Sequence, residues 1–122
     1  MIAITSLYAA IAAIFLIILS INVVRNRYRT HTAIGSSDDR LTRACRAQGN
    51  FTEYVPLILL MMACAELFKV SAYIIHIAGI AMLLGRLLHA YSLLYAEPKS
   101  GGRMFFFRMS GMILTFGTLA VL

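Results

Sequence analysis

The chain has 122 residues, of which 61% are hydrophobic and 13% charged, with a formal net charge of +6 and no tryptophan. Its mean hydropathy of +0.82 stands far from a soluble domain, where apolar residues make up roughly 45–50%. The composition is that of a small integral membrane protein with no room for a soluble catalytic domain. The basic excess gives no nucleic-acid partner, because the cations border apolar segments and have no soluble fold to present them.

Four apolar stretches of about 20 residues are each long enough, at about 1.5 Å per residue, to cross a hydrocarbon core of roughly 30 Å. The expected fold is an all-α membrane protein, a single four-transmembrane-helix bundle over 1–122, with helices near 2–24, 38–68, 72–96 and 104–122. Helix one starts without Lys or Arg and ends in Arg25-Asn-Arg-Tyr-Arg29. A secretory signal carries its charge before the apolar run, so this is a retained span. Ser6, Ala9, Ala10 and Ala13 offer a small-residue face for close helix packing.

The polar connection contains Gly35-Ser-Ser-Asp-Asp39, a turn cluster in which Ser36 and Asp39 have capping-box spacing. Helix two therefore starts near Asp38, and Pro56 within it frees the carbonyl of Thr52 and bends the helix near Glu53. It ends around Glu66–Lys69, and Ser71 reopens the chain so soon that helices two and three form an antiparallel pair. Helix three is apolar apart from His76, Arg86 and His89, with His76 read as a structural hydrogen-bonder, and Glu97-Pro98 is expected to end it. Lys99-Ser-Gly-Gly102 leads to helix four, which Arg103 opens. Arg108 lies one turn inside, where a long side chain can snorkel to the interface.

Arg25, Arg27, Arg29, Arg40, Arg43 and Arg46 gather in the first long connection and Lys99, Arg103 and Arg108 in the second, while Lys69 stands on the opposite side. The positive-inside rule then makes both long connections cytoplasmic and puts both termini outside. Cys45 and Cys64 on one helix lie far beyond the roughly 7 Å disulfide limit. No pattern of metal-ligand spacing is present.

At about 100° per residue, Arg43, Arg46, Asn50, Glu53 and Tyr54 form one polar stripe on helix two, and Arg86 and His89 share a face on helix three. The stripes lie in the same half of the membrane, so antiparallel packing can join them. A bare ion pair of Glu53 with Arg86, fixing helix register, would account for two of these residues. A pocket for a small, multiply charged ligand accounts for all of them, with Arg groups holding carboxylates and Glu53 accepting an ammonium.

Arg46-Ala-Gln-Gly-Asn-Phe-Thr-Glu-Tyr-Val-Pro56 closely resembles the signature of the MAPEG family, the membrane-associated proteins of eicosanoid and glutathione metabolism. Arg86-Leu-Leu-His89 resembles that family's helix-three segment, and the likeness extends over the full chain. The resemblance implies a homotrimer with glutathione as co-substrate, bound near the cytoplasmic side between neighbouring subunits. Carried over residue by residue, it implies glutathione contacts from Arg25, Arg46, Gln48, Asn50, Glu53, Tyr54, Arg86 and His89, with Arg103 as the cation that favours thiolate. A further family Tyr on helix three is replaced by Leu93.

The function so implied is a glutathione S-transferase or glutathione peroxidase taking lipophilic electrophiles or hydroperoxides from the bilayer, in a bacterial inner membrane. Its rivals are a catalytically inactive glutathione- or lipid-binding protein of the same fold and a small proton-coupled transporter.

Overall fold

The computed structural model describes residues 1–100 and 105–122. Among these, all regular structure is helical: α1 (Ala3–Thr30), α2 (Asp39–Leu67), α3 (Ala72–Tyr91) and α4 (Phe106–Val121). Beyond α3 the chain continues helically through a π-helical turn over Ser92–Ala96 and a last α-turn over Glu97–Ser100. Three of these helices are long and apolar enough to cross a membrane, and α4 is a shorter apolar helix. At about 1.5 Å per residue, α4 covers roughly 24 Å.

The termini of these helices follow from local chemistry. Helix α1 runs on past its apolar residues to Thr30, because Thr30 and Asn26 side chains bond back to carbonyls one turn earlier and the basic last turn suits the negative end of the helix dipole. His31, at φ 52°, closes it in the left-handed region. Asp38, not Ser36, caps α2: its carboxylate accepts from Leu41 N at 2.8 Å, and Ser36 instead contacts the hydroxyl of Thr42. The carboxyl of Asp38 is held below its ordinary pKa, first by the Leu41 amide and then by Arg29.

The first helix buries a different face from the small-residue one. Thr5, Tyr8, Ala12, Leu19, Val23 and Asn26 point inward, while Ser6, Ala10 and Ala13 are exposed on this protomer. Tyr8 reaches His76 Nδ1 at 3.0 Å, a polar contact between α1 and α3 in an otherwise apolar layer. Its ring occupies the space a side chain at Gly79 would need. The α1 N-terminus has no cap of its own. Glu66 at the far end of α2 supplies one, accepting Ile4 N, Thr5 N and Thr5 Oγ1, each at 2.8 Å.

The expected stop at Glu97-Pro98 is not where helix three ends. Glu97 N–H donates to Ser92 O, five residues back, and this wider turn lets the helix pass a proline that has no N–H to give. Helices α3 and α4 approach at backbone distance. A Cβ on Gly85 would come within 2.9 Å of Gly111 O, and one on Gly111 within 3.0 Å of His89 N. Outward-facing Ile14, Ile17, Leu60, Ile77, Ile113 and Phe116 are exposed, as the surface of a membrane bundle requires.

Candidate functional site

Arg86 is the pivot of the polar half of the bundle. Only 2% exposed, its guanidinium bonds Asn50 Oδ1 on α2 and Thr115 Oγ1 on α4, with longer contacts to Gly111 O at 3.4 Å and Met112 Sδ at 3.5 Å. The Gly85–Gly111 approach is what brings α4 close enough. Arg86 Cζ also lies 5.5 Å from the ring centroid of Tyr54, within cation–π range, and Tyr54 in turn packs edge-on against Phe116. Among the described residues its Nε has no partner.

Glu53 does not pair with Arg86. It stands 3.8 Å from Arg46 Nη1, with both side chains more than half exposed. An exposed carboxylate beside a guanidinium is not the buried acid that proton coupling uses.

Beside Arg86 opens a cleft of about 430 Å3, lined by Arg46 and Asn50 from α2, His89 and Leu93 from the third helix, and Phe105, Arg108, Met109 and Met112 at α4. The volume lies in the range of small-molecule sites. The lining combines four polar side chains with four apolar ones, so a charged ligand and a lipophilic one can meet there.

The carried-over residues separate into groups. Arg46, Asn50 and His89 line this cleft, Arg86 adjoins it through its bond to Asn50 with Tyr54 stacked on its guanidinium, and Glu53 attends Arg46. Gln48 instead donates to Ser20 Oγ on α1 at 2.8 Å. Arg25 lies in another cleft, of about 400 Å3, with Asn22, Asn26, Arg29, Arg40 and Tyr95. Arg103 lies outside the described residues. Among those described, no three His, Cys, Asp or Glu side chains group as a metal site.

Two participants escape the stripe analysis. Arg108 lines the cleft and pairs with Glu97 at 3.3 Å, so it is not merely an interfacial anchor. Glu97 is a buried carboxylate that takes Arg43 Nη1 at 2.9 Å and Ser92 Oγ at 2.9 Å besides Arg108. A signal for the α4 residues was present: Arg108, Gly111 and Thr115 are spaced to share one helical face. Glu97 carried no such signal, because a π-helical turn shifts everything after it by about 100° relative to a regular helix.

The family model of MAPEG, "MAPEG family", matches residues 5–122. Over 120 residues the chain is 33% identical to "Inner membrane protein YecN" of Escherichia coli strain K12, covering 98% of this chain and 86% of that protein. The same identity and coverage hold for the protein of that name from Escherichia coli O6:H1. No solved structure matches.

Proposed function

The chain belongs to the MAPEG family, and we propose that it is an integral membrane glutathione-binding protein, acting as a glutathione S-transferase or peroxidase on lipophilic electrophiles or hydroperoxides. The observation that carries this reading is the cleft itself. Arg46, Asn50, His89 and Arg108 converge on one cavity with the apolar Leu93, Phe105, Met109 and Met112.

Glutathione has two carboxylates, an ammonium and a thiol. Arg46 supplies a fork for a carboxylate and Asn50 an amide. Glu53, already beside Arg46, accepts the ammonium, while Arg86 fixes Asn50. With Arg103 outside the described residues, Arg108 is the α4 cation that faces the cleft among those described. A cation there lowers the thiol pKa and favours the thiolate nucleophile. The thiolate then displaces a leaving group from an electrophile or adds to it, or attacks a hydroperoxide oxygen to break the O–O bond, releasing the alcohol and a glutathione sulfenic acid that a second glutathione converts to the disulfide and water. The lipophilic substrate enters from the bilayer past the apolar side chains.

Arg25 and Gln48 join this ligand only from a neighbouring copy, because within one protomer they face α1 and a separate cleft. The homotrimer supplies that neighbour. The placement completing this reading is a bacterial inner membrane, with both termini outside and the cleft on the cytoplasmic side, where the basic connections lie.

Purified protein in detergent should bind glutathione by calorimetry and turn over chlorodinitrobenzene or cumene hydroperoxide. No binding and no turnover of either would sink the proposal. One observation favours the second reading, a glutathione- or lipid-binding protein without catalysis: Leu93, not a hydroxyl donor, lines the cleft. That reading predicts binding with an unshifted thiol pKa.

A further inference from the structure

The cation that faces the cleft from α4 is not held there by α4. Arg108 lies one turn into a short helix at the end of the bundle that carries the long connections, and its side chain is 42% exposed. A long cationic side chain so placed in a membrane protein swings to the polar interface by default. What opposes this is Glu97, whose side chain is only 5% exposed.

Three features fix that carboxylate. Ser92 Oγ donates to Oε1 at 2.9 Å, and the π-helical turn between them, marked by Glu97 N–H on Ser92 O, turns position 97 toward α2 and α4. Oε2 takes Arg43 Nη1 at 2.9 Å and Arg108 Nη1 at 3.3 Å. Arg43 is steadied from behind by Asp39, 2.8 Å from its Nε. The result is an alternating series, Asp39, Arg43, Glu97, Arg108, that crosses from α2 through the third helix to α4.

The charge balance matters. Among the described residues Glu97 Oε2 is shared between Arg43 and Arg108 while Arg43 is also met by Asp39, so Glu97 orients Arg108 without being its dedicated counter-charge. Among the described residues Arg108 is engaged through Nη1, and its fork carries further N–H donors for a ligand.

We propose that Glu97 is a positioning residue: seated by Ser92 across the π-helical turn, it holds the Arg108 guanidinium at the cleft, where that cation stabilises the glutathione thiolate. This rests on the glutathione reading above. The step concerned is loss of the thiol proton to water at the open mouth of the cleft, leaving the electron pair on sulfur facing Arg108.

The test titrates glutathione bound to the purified full-length protein and follows thiolate by its ultraviolet absorbance, with Kd measured alongside. Glu97→Gln should raise the bound thiol pKa by about 1 unit, about tenfold less thiolate at a fixed pH below it, while Kd changes less than about threefold. Arg108→Ala should raise it at least as far, and the double variant no further than Arg108→Ala alone. Ser92→Ala keeps both ion pairs and should shift the pKa the same way by less.

An unchanged thiol pKa in Glu97→Gln, or additive shifts in the double variant, overturns the proposal. If Glu97→Gln does not fold, Ser92→Ala decides it, and a wild-type pKa there overturns it equally. If the wild-type protein binds no glutathione, the reading of the cleft fails and the positioning role falls with it. Should the wild type bind glutathione with its thiol pKa unshifted, binding stands and the positioning role alone is overturned.

Discussion

Glu66 and Glu97 sit at opposite ends of the bundle, and each carboxylate ties separate helices together. Glu66 meets two backbone amides and a hydroxyl of α1. Its charge is met by the positive end of a helix dipole, so the arrangement is closed and leaves nothing for a ligand. Glu97 meets guanidiniums of α2 and α4, and the second of these, Arg108, also lines the cleft. The same side chain thus serves as a terminal cap at one end and as the organiser of a cationic cleft at the other. The partners decide which.

The contrast breaks most sharply at Arg86. Arg86→Ala removes the guanidinium that joins Asn50, Gly111 and Thr115 across three helices, leaving the buried Asn50 Oδ1 without that donor. A loss of about 3 kcal/mol follows from breaking a buried charged network, read as unfolding in detergent with denaturant. Glutathione binding should disappear with it, while the Tyr8–His76 contact at the other end persists. Gly111→Ala comes next. Its new methyl meets the backbone of Gly85 and His89, so α3 and α4 must part, at a cost of about 1–3 kcal/mol. Separation would pull Thr115 from Arg86 and weaken glutathione binding measured by calorimetry. Unchanged binding in Gly111→Ala would show that the cleft does not depend on this close approach.

Much of this architecture was legible because membrane constraints are strict. Twenty-residue apolar runs, basic connections and the stripe from Arg46 to Tyr54 follow from helical period and the cost of polar groups in lipid. Asn50, Arg86 and His89 meet because antiparallel helices with their polar residues in the same half must bring them level. What the sequence hid were relations between helices. Glu66 has the look of an ordinary interfacial carboxylate until α1 is placed beside it, and Gln48, on the same helix as the stripe, turns to Ser20 on the other side. Glu97-Pro98 has the form of a helix stop, since nothing in a linear pattern announces that a π-helical turn will carry the helix through. The buried face of α1 also went unseen, because in a span apolar all round, composition does not mark which side meets protein.

At the Glu66 end, Glu66→Gln keeps one acceptor oxygen but loses the charge that suits the α1 dipole. The expected result is a fall in Tm smaller than that of Gly111→Ala, with faster amide exchange confined to the first turn of α1. Glutathione affinity should not change. A change there would mean that the two ends are coupled, and the division drawn between them would be lost.

The smallest effect belongs to Asp38, which caps α2 just outside the cationic cluster. Its folded-state pKa is lowered by the Leu41 amide and Arg29, so its ionised form is favoured by folding. The sign of the pH dependence follows. The contribution is complete above the ordinary aspartate value near 4 and is lost as pH falls from there through the lowered folded-state pKa. Asp38→Asn retains an acceptor for the Leu41 amide but cannot titrate. It should therefore flatten this acid limb of the Tm profile while leaving Tm at neutral pH only slightly reduced by loss of the Arg29 pair, an exposed bridge of small worth. If the limb persisted unchanged in Asp38→Asn, the acid sensitivity would not lie at the α2 cap.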